Sequence, residues 1–298
     1  MKYREVYLSE LANIVNVEWI GNDILINGLG LCNRKSEFET VLAYTNSIDF
    51  IQKAVENQHI KALVAPTSVI EQAPKNRFSF IVSDYPEEMF YKIHSALYES
   101  NVFYESYDFK PIIGRNCKIH SGAVIEKGVR IGNNVRIGSG SFINKGTEIG
   151  DNVYVGCNNT IGTDGFQVIY VKEYPVLIPH VGGVKIESNV YIGDNNTIHK
   201  SLFEGITKIS ENVKIDSQCY IAHNCIIEEN AVVTAGARMM GSSIVQKGCW
   251  IAPSSVILNR VIVGSGTTIG TMSLINKNTE VNSIYYGTPA KKVRNKSH

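Results

Sequence analysis

Residues 130–156 read RIGNNVRIGSGSFINKGTEIGDNVYVG, and within them Ile131, Ile137, Ile143, Ile149 and Val155 fall six residues apart. Working outward, the same period holds for Ile113, Ile119 and Ile125 on one side and Ile161 on the other. It resumes at Ile186, Ile192 and Ile198, slips once, and continues as Ile209, Ile215, Ile221, Ile227, Val233, Met239, Val245, Ile251, Ile257, Val263, Ile269, Ile275 and Val281. Only Met239 in this series is not β-branched. A period of six fits neither the 3.6 of a helix nor the simple alternation of a hairpin strand. It fits very short β-branched strands separated by turns such as Gly132-Asn133, Gly138-Ser139 and Gly264-Ser265. A self-similar period of this kind is the signature of a solenoid.

Hexapeptides of this type resemble the left-handed parallel β-helix, in which three make one triangular coil of about 18 residues and each marked aliphatic points inward. The fold class expected is therefore mainly β, with about eight coils and a prism roughly 40 Å long at ~4.8 Å per layer. The cysteines agree with this reading. Cys117, Cys219, Cys225 and Cys249 each lie four residues after a marked aliphatic, at a small inward slot where a thiol serves as a compact hydrophobe. Residues 1–105 lack the repeat and read as a small N-terminal α/β domain. DILING, KALVAPT and FSFIVSD have strand character there, and SEFETVLAYTNSIDFIQKAVENQ and PEEMFYKIHSALYES have helical spacing. The β-helix is assigned to 106–284, with a loop insertion at 162–185 and a basic tail at 285–298.

Composition narrows the function. The 298 residues carry 29 Lys+Arg against 28 Asp+Glu, a formal charge of +1, so no global positive field is available to hold nucleic acid or an anionic membrane. No apolar run reaches the ~18 residues of a membrane span, and the first residues lack the apolar segment of a secretion signal, so a cytoplasmic protein without membrane insertion is expected. Six cysteines without a CxxC indicate neither a disulfide framework nor a zinc knuckle. The positions one coil from His223 are Gly205 and Gly241, which argues against a metal held by stacked histidines, and no metal is expected.

Of seven histidines, His223 is singled out by its place two residues past Ile221, where a hexapeptide side chain points off the prism, inside the otherwise apolar CYIAHNC. An outward imidazole in a groove suits a base working near neutral pH. Asp216, seven residues upstream, is positioned to accept the other ring N–H and fix the tautomer. Gly241 lies eighteen residues downstream, one coil on. A glycine there admits a substrate close to the backbone, and its N–H is placed to donate to an oxyanion.

Nearly the whole chain, in the order α/β domain, hexapeptides, IGTDGF, LIPHVGGVKI, NTI, KIDSQCYIAHN, RMMGS and YGTPAK, resembles the UDP-3-O-acylglucosamine N-acyltransferases of lipid A synthesis and their relatives. The resemblance implies a homotrimer with clefts between neighbouring prisms, His223 as general base, Asp216 as its orienting carboxylate and Gly241 as oxyanion donor. It also implies a nucleotide-sugar held partly by the N-terminal domain. Substrate contacts implied in the same way are Tyr44, Asn46, Asp164, Phe166, His180, His199 and Asn224. The chain departs from the pattern in places: His199-Lys200 stands where the family has Asp-Arg, and Arg260 where lipid A members carry a second histidine. The helical extension associated with acyl carrier protein is not found.

The ending GTPAKKVRNK resembles hexapeptide transferases that use acyl-CoA. Lys291, Lys292 and Arg294, with Arg238 and Lys247 near the active coil, are the candidate phosphate contacts for that co-substrate. The expected activity is transfer of an acyl group from acyl-CoA to the amino group of a nucleotide-linked amino sugar in cell-surface polysaccharide synthesis. Two alternatives stand beside it: the lipid A enzyme itself with a hydroxyacyl carrier protein as donor, and a non-catalytic scaffold or sugar-nucleotide-binding protein.

Overall fold

The computed structural model describes residues 5–34, 36 and 38–296. They divide into two compact units, one made of the described residues up to 106 together with 166–181 and 203–205, the other of 107–165, 182–202 and 206 onward.

The larger unit is a left-handed β-helix with three parallel sheets as faces. The first face runs from strand Ile112–Ile113 to Ile262–Val263, the second from Lys118–Ile119 to Thr268–Ile269, and the third from Val124–Ile125 to Leu274–Ile275. Each coil visits the faces in turn, so residues one coil apart pair in register: Arg136 lies opposite Tyr154 and Ile137 opposite Val155. In each two-residue strand the first side chain points out and the second, the marked aliphatic, points in. From Ile131 to Ile275 the marked residues form one buried core, in which burying each side chain is worth about 1.5–3 kcal/mol.

The corners explain the abundant asparagines. Turning a coil needs a residue in the left-handed region, and Asn116, Asn134, Asn152, Asn189, Asn195, Asn212 and Asn230 take it with φ between 57° and 62°. Their side chains also form a ladder along one corner. Asn134 Nδ2 donates to Asn152 Oδ1 at 3.0 Å, Asn152 to Asn189 at 3.3 Å, and Asn189 to Glu211 at 3.1 Å. The thiols of Cys219, Cys225 and Cys249 are buried in the core, and burial pushes each up to about 11, so they stay protonated.

The repeat gives out at both ends. Ile113 is 46% exposed and Val281 is 58% exposed, because neither has a coil beyond it. The basic stretch assigned to a tail is a hairpin through Asn295: strand Ser283–Gly287 pairs parallel to Thr268–Ile269, and Ala290–Asn295 folds back antiparallel on it.

The smaller unit has a five-stranded sheet in which Gly28–Leu29, Val41–Tyr44, Ile60–Ala65 and Ser79–Val82 are parallel and Trp19–Ile20 is an antiparallel edge. Helix Pro86–Ser100 spans the whole of PEEMFYKIHSALYES. The helical expectation for SEFETVLAYTNSIDFIQKAVENQ holds only for Ile48–Glu56, since Val41–Tyr44 is a central strand. A strand buried on both faces reads as an unbroken apolar run, and periodicity alone does not separate that from a buried helix. Among the described residues no helix is long and apolar enough to cross a membrane.

Segment 166–181, expected as a loop on the prism, belongs to this smaller unit, where Val168–Val171 and Tyr174–Leu177 form an antiparallel hairpin. Its return strand is tied to the helix by His94, which is fully buried. The carbonyl of Pro179 accepts only, so His94 Nε2 carries the proton it donates at 2.8 Å. Nδ1 lies 2.6 Å from the Tyr104 hydroxyl. Burial holds the imidazole down to about 4 against the opposing effect of Pro179, so it is neutral and Nδ1 accepts from Tyr104. Glu204 is in the same unit, and burial pushes its carboxyl up to about 7, only partly offset by the Glu105 N–H it accepts.

A carboxyl whose folded value lies above its unfolded value of 4.5 binds protons more tightly when folded, so its contribution to stability falls as pH rises from 4.5 toward 7. Glu204→Gln removes that penalty. Relative to the parent, the variant is expected to gain stability over this window, by on the order of 3 kcal/mol at its upper end, in urea titrations at several pH values. A difference between the two proteins that does not change with pH would contradict the assignment.

Candidate active site

Along the corner between the third and first faces, the residue two past each marked aliphatic occupies one outward column. Register pairs Ile198 with Ile221 and Ile221 with Met239, so Lys200, His223 and Gly241 follow one another on successive coils, and Lys200 takes the place expected for Gly205 because the coil between Ile198 and Ile221 is longer than the regular eighteen residues. The expected proximity of His223 and Gly241 is therefore built into the repeat.

His223 is half-buried, and its Nδ1 lies 2.9 Å from Asn224 Oδ1. The orientation of that amide is fixed independently. Leu202 N–H, which can only donate, points at Asn224 Oδ1 at 3.2 Å, and Asn224 Nδ2 donates to Ser201 Oγ. The atom facing His223 is thus an oxygen, Nδ1 must carry a proton, and in the neutral ring the lone pair is on Nε2. Asn224 itself is anchored by its own N–H to Thr207 Oγ1 at 2.8 Å and sits at φ 59°, the left-handed corner conformation.

Asp216 was the residue expected on Nδ1. It is exposed at the preceding corner, and its Oδ1 accepts the Ser217 N–H at 2.8 Å. The geometry gives the orienting role to the neighbouring Asn224, because a corner residue in the left-handed region turns its amide back along the imidazole.

Gly241 fits for two reasons. A Cβ there would stand 2.6 Å from His223 Nε2 and 2.8 Å from Cε1, so any side chain displaces the ring. The second reason is its N–H. At several comparable positions the outward N–H is taken by a side-chain oxygen: Asn133 by Asp151, Lys145 by Glu126, Cys157 by Asp194 and Lys247 by Glu228. On Gly241's own corner Lys145 is served by Glu126, and the residue equivalent to Glu126 one coil before Gly241 is Ala222, which has no acceptor. Among the described residues no acceptor takes the Gly241 N–H. A donor beside a basic nitrogen is the arrangement that stabilises charge developing on oxygen.

Below His223 lie Asp164, His199 and Lys200. His199 Nδ1 donates to the Asp164 carbonyl at 2.5 Å and its ring packs edge-on to Tyr220. Burial lowers its proton affinity, partly opposed by the Asp164 and Thr163 carbonyls. Lys200 Nζ lies 2.7 Å from Asp164 Oδ1. Lys200 was not singled out from sequence, since nothing in a lysine two residues past an Ile marks it as buried.

Four of the sequence candidates fall in the smaller unit. Tyr44 ends a parallel strand, packs on Phe90 and Tyr91 and donates to Glu87 Oε1 at 2.8 Å; burial and the nearby acid push its phenol up. Asn46 and Phe166 are exposed, whereas His180 is buried with Nδ1 3.2 Å from the Ile178 carbonyl, which leaves it little surface to offer a ligand. Of the cationic candidates, Arg238 is exposed between Tyr220 and Val256, and Lys247 pairs with Glu229 at 2.9 Å. Lys291, Lys292 and Arg294 lie on the terminal hairpin, Lys292 paired with Glu280 at 2.6 Å. Among the described residues no group of three His, Cys, Asp or Glu side chains could hold a metal ion.

The bacterial transferase hexapeptide family (six repeats) matches residues 110–145 and 206–241, the second stretch containing both His223 and Gly241. This hexapeptide chain is 30% identical over 130 residues to the UDP-3-O-acylglucosamine N-acyltransferase of Campylobacter lari, covering 43% of the chain and 40% of that protein. It is 32% identical over 132 residues to the protein of the same name from Wolinella succinogenes, covering 44% and 41%. The match thus spans about two fifths of the length of these curated relatives. Among solved structures, the UDP-N-acetylglucosamine acyltransferase of Bacteroides fragilis superposes with a TM-score of 0.56 at 22% identity, covering 63% of this chain and 71% of that one, a likeness of fold.

The tautomer is directly measurable. Long-range 1H–15N correlation spectra near neutral pH are expected to show His223 with a protonated Nδ1 and an unprotonated Nε2. Asn224→Ala is expected to give a mixture of tautomers, and a protonated Nε2 in the parent would overturn the assignment.

Proposed function

We propose that the hexapeptide prism is an acyltransferase acting on the amino group of a nucleotide-linked amino sugar, with a CoA thioester as donor. The observation that carries this reading is the pairing of a basic His223 Nε2 with the unclaimed Gly241 N–H one coil on. The names of the relatives support the reaction class.

In the proposed reaction the amine nitrogen attacks the thioester carbonyl while Nε2 removes a proton from it. A C–N bond forms, and the carbonyl oxygen takes up negative charge beside Gly241 N–H. Collapse breaks the C–S bond, the imidazolium returns its proton to the departing sulfur, and amide and thiol are released. Asn224 Oδ1, accepting from Nδ1, is better placed to stabilise the imidazolium than the neutral ring, so it assists the step that forms the charge. Asp164 and His199 are proposed substrate contacts on the prism; Tyr44, Asn46 and Phe166 are, separately, proposed substrate contacts on the smaller unit. We further propose a homotrimer, since Ile226, Ile244 and Ile262 form an outward apolar stripe on the first face that a second copy would cover.

The names of the relatives favour a second reading, the lipid A enzyme with a hydroxyacyl carrier protein as donor. The cations of the terminal hairpin favour CoA, whose phosphates need only a few Lys and Arg.

His223→Ala is expected to lower thiol release by about 10² to 10⁴ while nucleotide-sugar binding persists. Near-parental rates from pH 6 to 9 would remove His223 from the chemistry. For the donor, Lys291→Gln with Arg294→Gln is expected to raise the KM for acetyl-CoA severalfold and flatten its salt dependence, with sugar affinity unchanged. A carrier protein that outperforms CoA in side-by-side thiol-release assays would hand the assignment to the second reading.

A further inference from the structure

Lys200 is an anomaly within its column. Lys127, Lys145 and Lys277, at the same corner position on other coils, are exposed, as expected of a long cation. Lys200 is 8% exposed, and its ammonium is held 2.7 Å from Asp164, whose side chain remains 51% exposed. The same aspartate is gripped a second time through its carbonyl by His199 Nδ1. Burying an ammonium is costly, and such a pair is a poor source of stability compared with apolar packing. What the arrangement does accomplish is to hold one exposed carboxylate, on the coil two below that of His223, in a single orientation.

We propose that Lys200 and His199 are positioning residues that present the Asp164 carboxylate as a hydrogen-bond acceptor for hydroxyl groups of the acceptor sugar. The inference rests on the acyltransfer reading given above and adds the substrate class: a sugar whose ring near the amine carries hydroxyl donors. A uronate, whose carboxylate would meet Asp164 in like charge, is selected against. The sugar hydroxyls donate to the carboxylate oxygens while Lys200 neutralises the pair, so the ring is fixed with its amine toward Nε2. No bond is made or broken by these residues.

The test uses the full chain with UDP-glucosamine and UDP as probes and acetyl-CoA as donor. Calorimetric titration is expected to show UDP-glucosamine binding about 10- to 100-fold weaker in Asp164→Asn and Lys200→Met, the loss of a hydrogen bond to a charged group, with UDP binding unchanged. Lys200→Arg, which keeps the cation, is expected to recover most of the affinity. In steady-state assays the KM for the sugar rises while kcat and the KM for acetyl-CoA change little. If Lys200→Met does not fold, the exposed Asp164→Asn carries the same comparison. Parental UDP-glucosamine affinity in the variants, or an equal loss for UDP, overturns the proposal, as does a parent that binds UDP-glucosamine no better than UDP. His223→Ala separates the two readings: if it leaves thiol release intact, the acyltransfer reading falls while the binding comparison still stands on its own.

Discussion

The structure depends on one constraint, the parallel register of one coil upon the next. Because strands such as Arg136–Ile137 and Tyr154–Val155 pair without offset, every residue class in the hexapeptide is multiplied along the prism as a column. Inward columns become the aliphatic core and corner columns become turns. A functional group in such a scaffold is simply a column member that breaks the habit of its column. His223, Gly241 and Lys200 are three consecutive breaks in one corner column, and their spacing is set by backbone pairing.

Each break has a local cause. Gly241 keeps an unclaimed N–H because Ala222 stands where a glutamate serves the equivalent corner at Lys145. His223 donates from Nδ1 because a backbone N–H, that of Leu202, dictates which way the Asn224 amide faces. Lys200 tolerates burial because Asp164, at the end of the coil segment before 166–181, is close enough to neutralise it. In all three cases a neighbour fixed by the coil register decides the chemistry at the column position.

The sequence made the prism legible because a period of six leaves few other folds, and the same arithmetic placed Gly241 beside His223. It did not reveal that Asn224 rather than Asp216 meets Nδ1. Separation along the chain says which corner a residue occupies, but not how a left-handed corner residue swings its amide. Nor did it separate the strand Val41–Tyr44 from the helix that follows, since both present apolar runs. Segment 166–181 was legible as an interruption only. Its membership in the smaller unit depends on the tie between His94 and the carbonyl of Pro179, two residues eighty-five positions apart with no pattern in common.

The terminal hairpin has a consequence separate from any donor it binds. A parallel solenoid ends in rows of unpaired N–H and C=O groups, a template on which further strands can add without limit. The second face continues past the last regular coil into Ser283–Gly287, and Ala290–Asn295 then reverses direction against it. Its outer edge is antiparallel and studded with Lys291, Lys292 and Arg294, so an incoming parallel coil meets the wrong polarity and a like-charged rim. The same cations therefore oppose end-to-end polymerisation, and a variant that neutralises them risks fibrous assembly at high concentration even where its coils are intact.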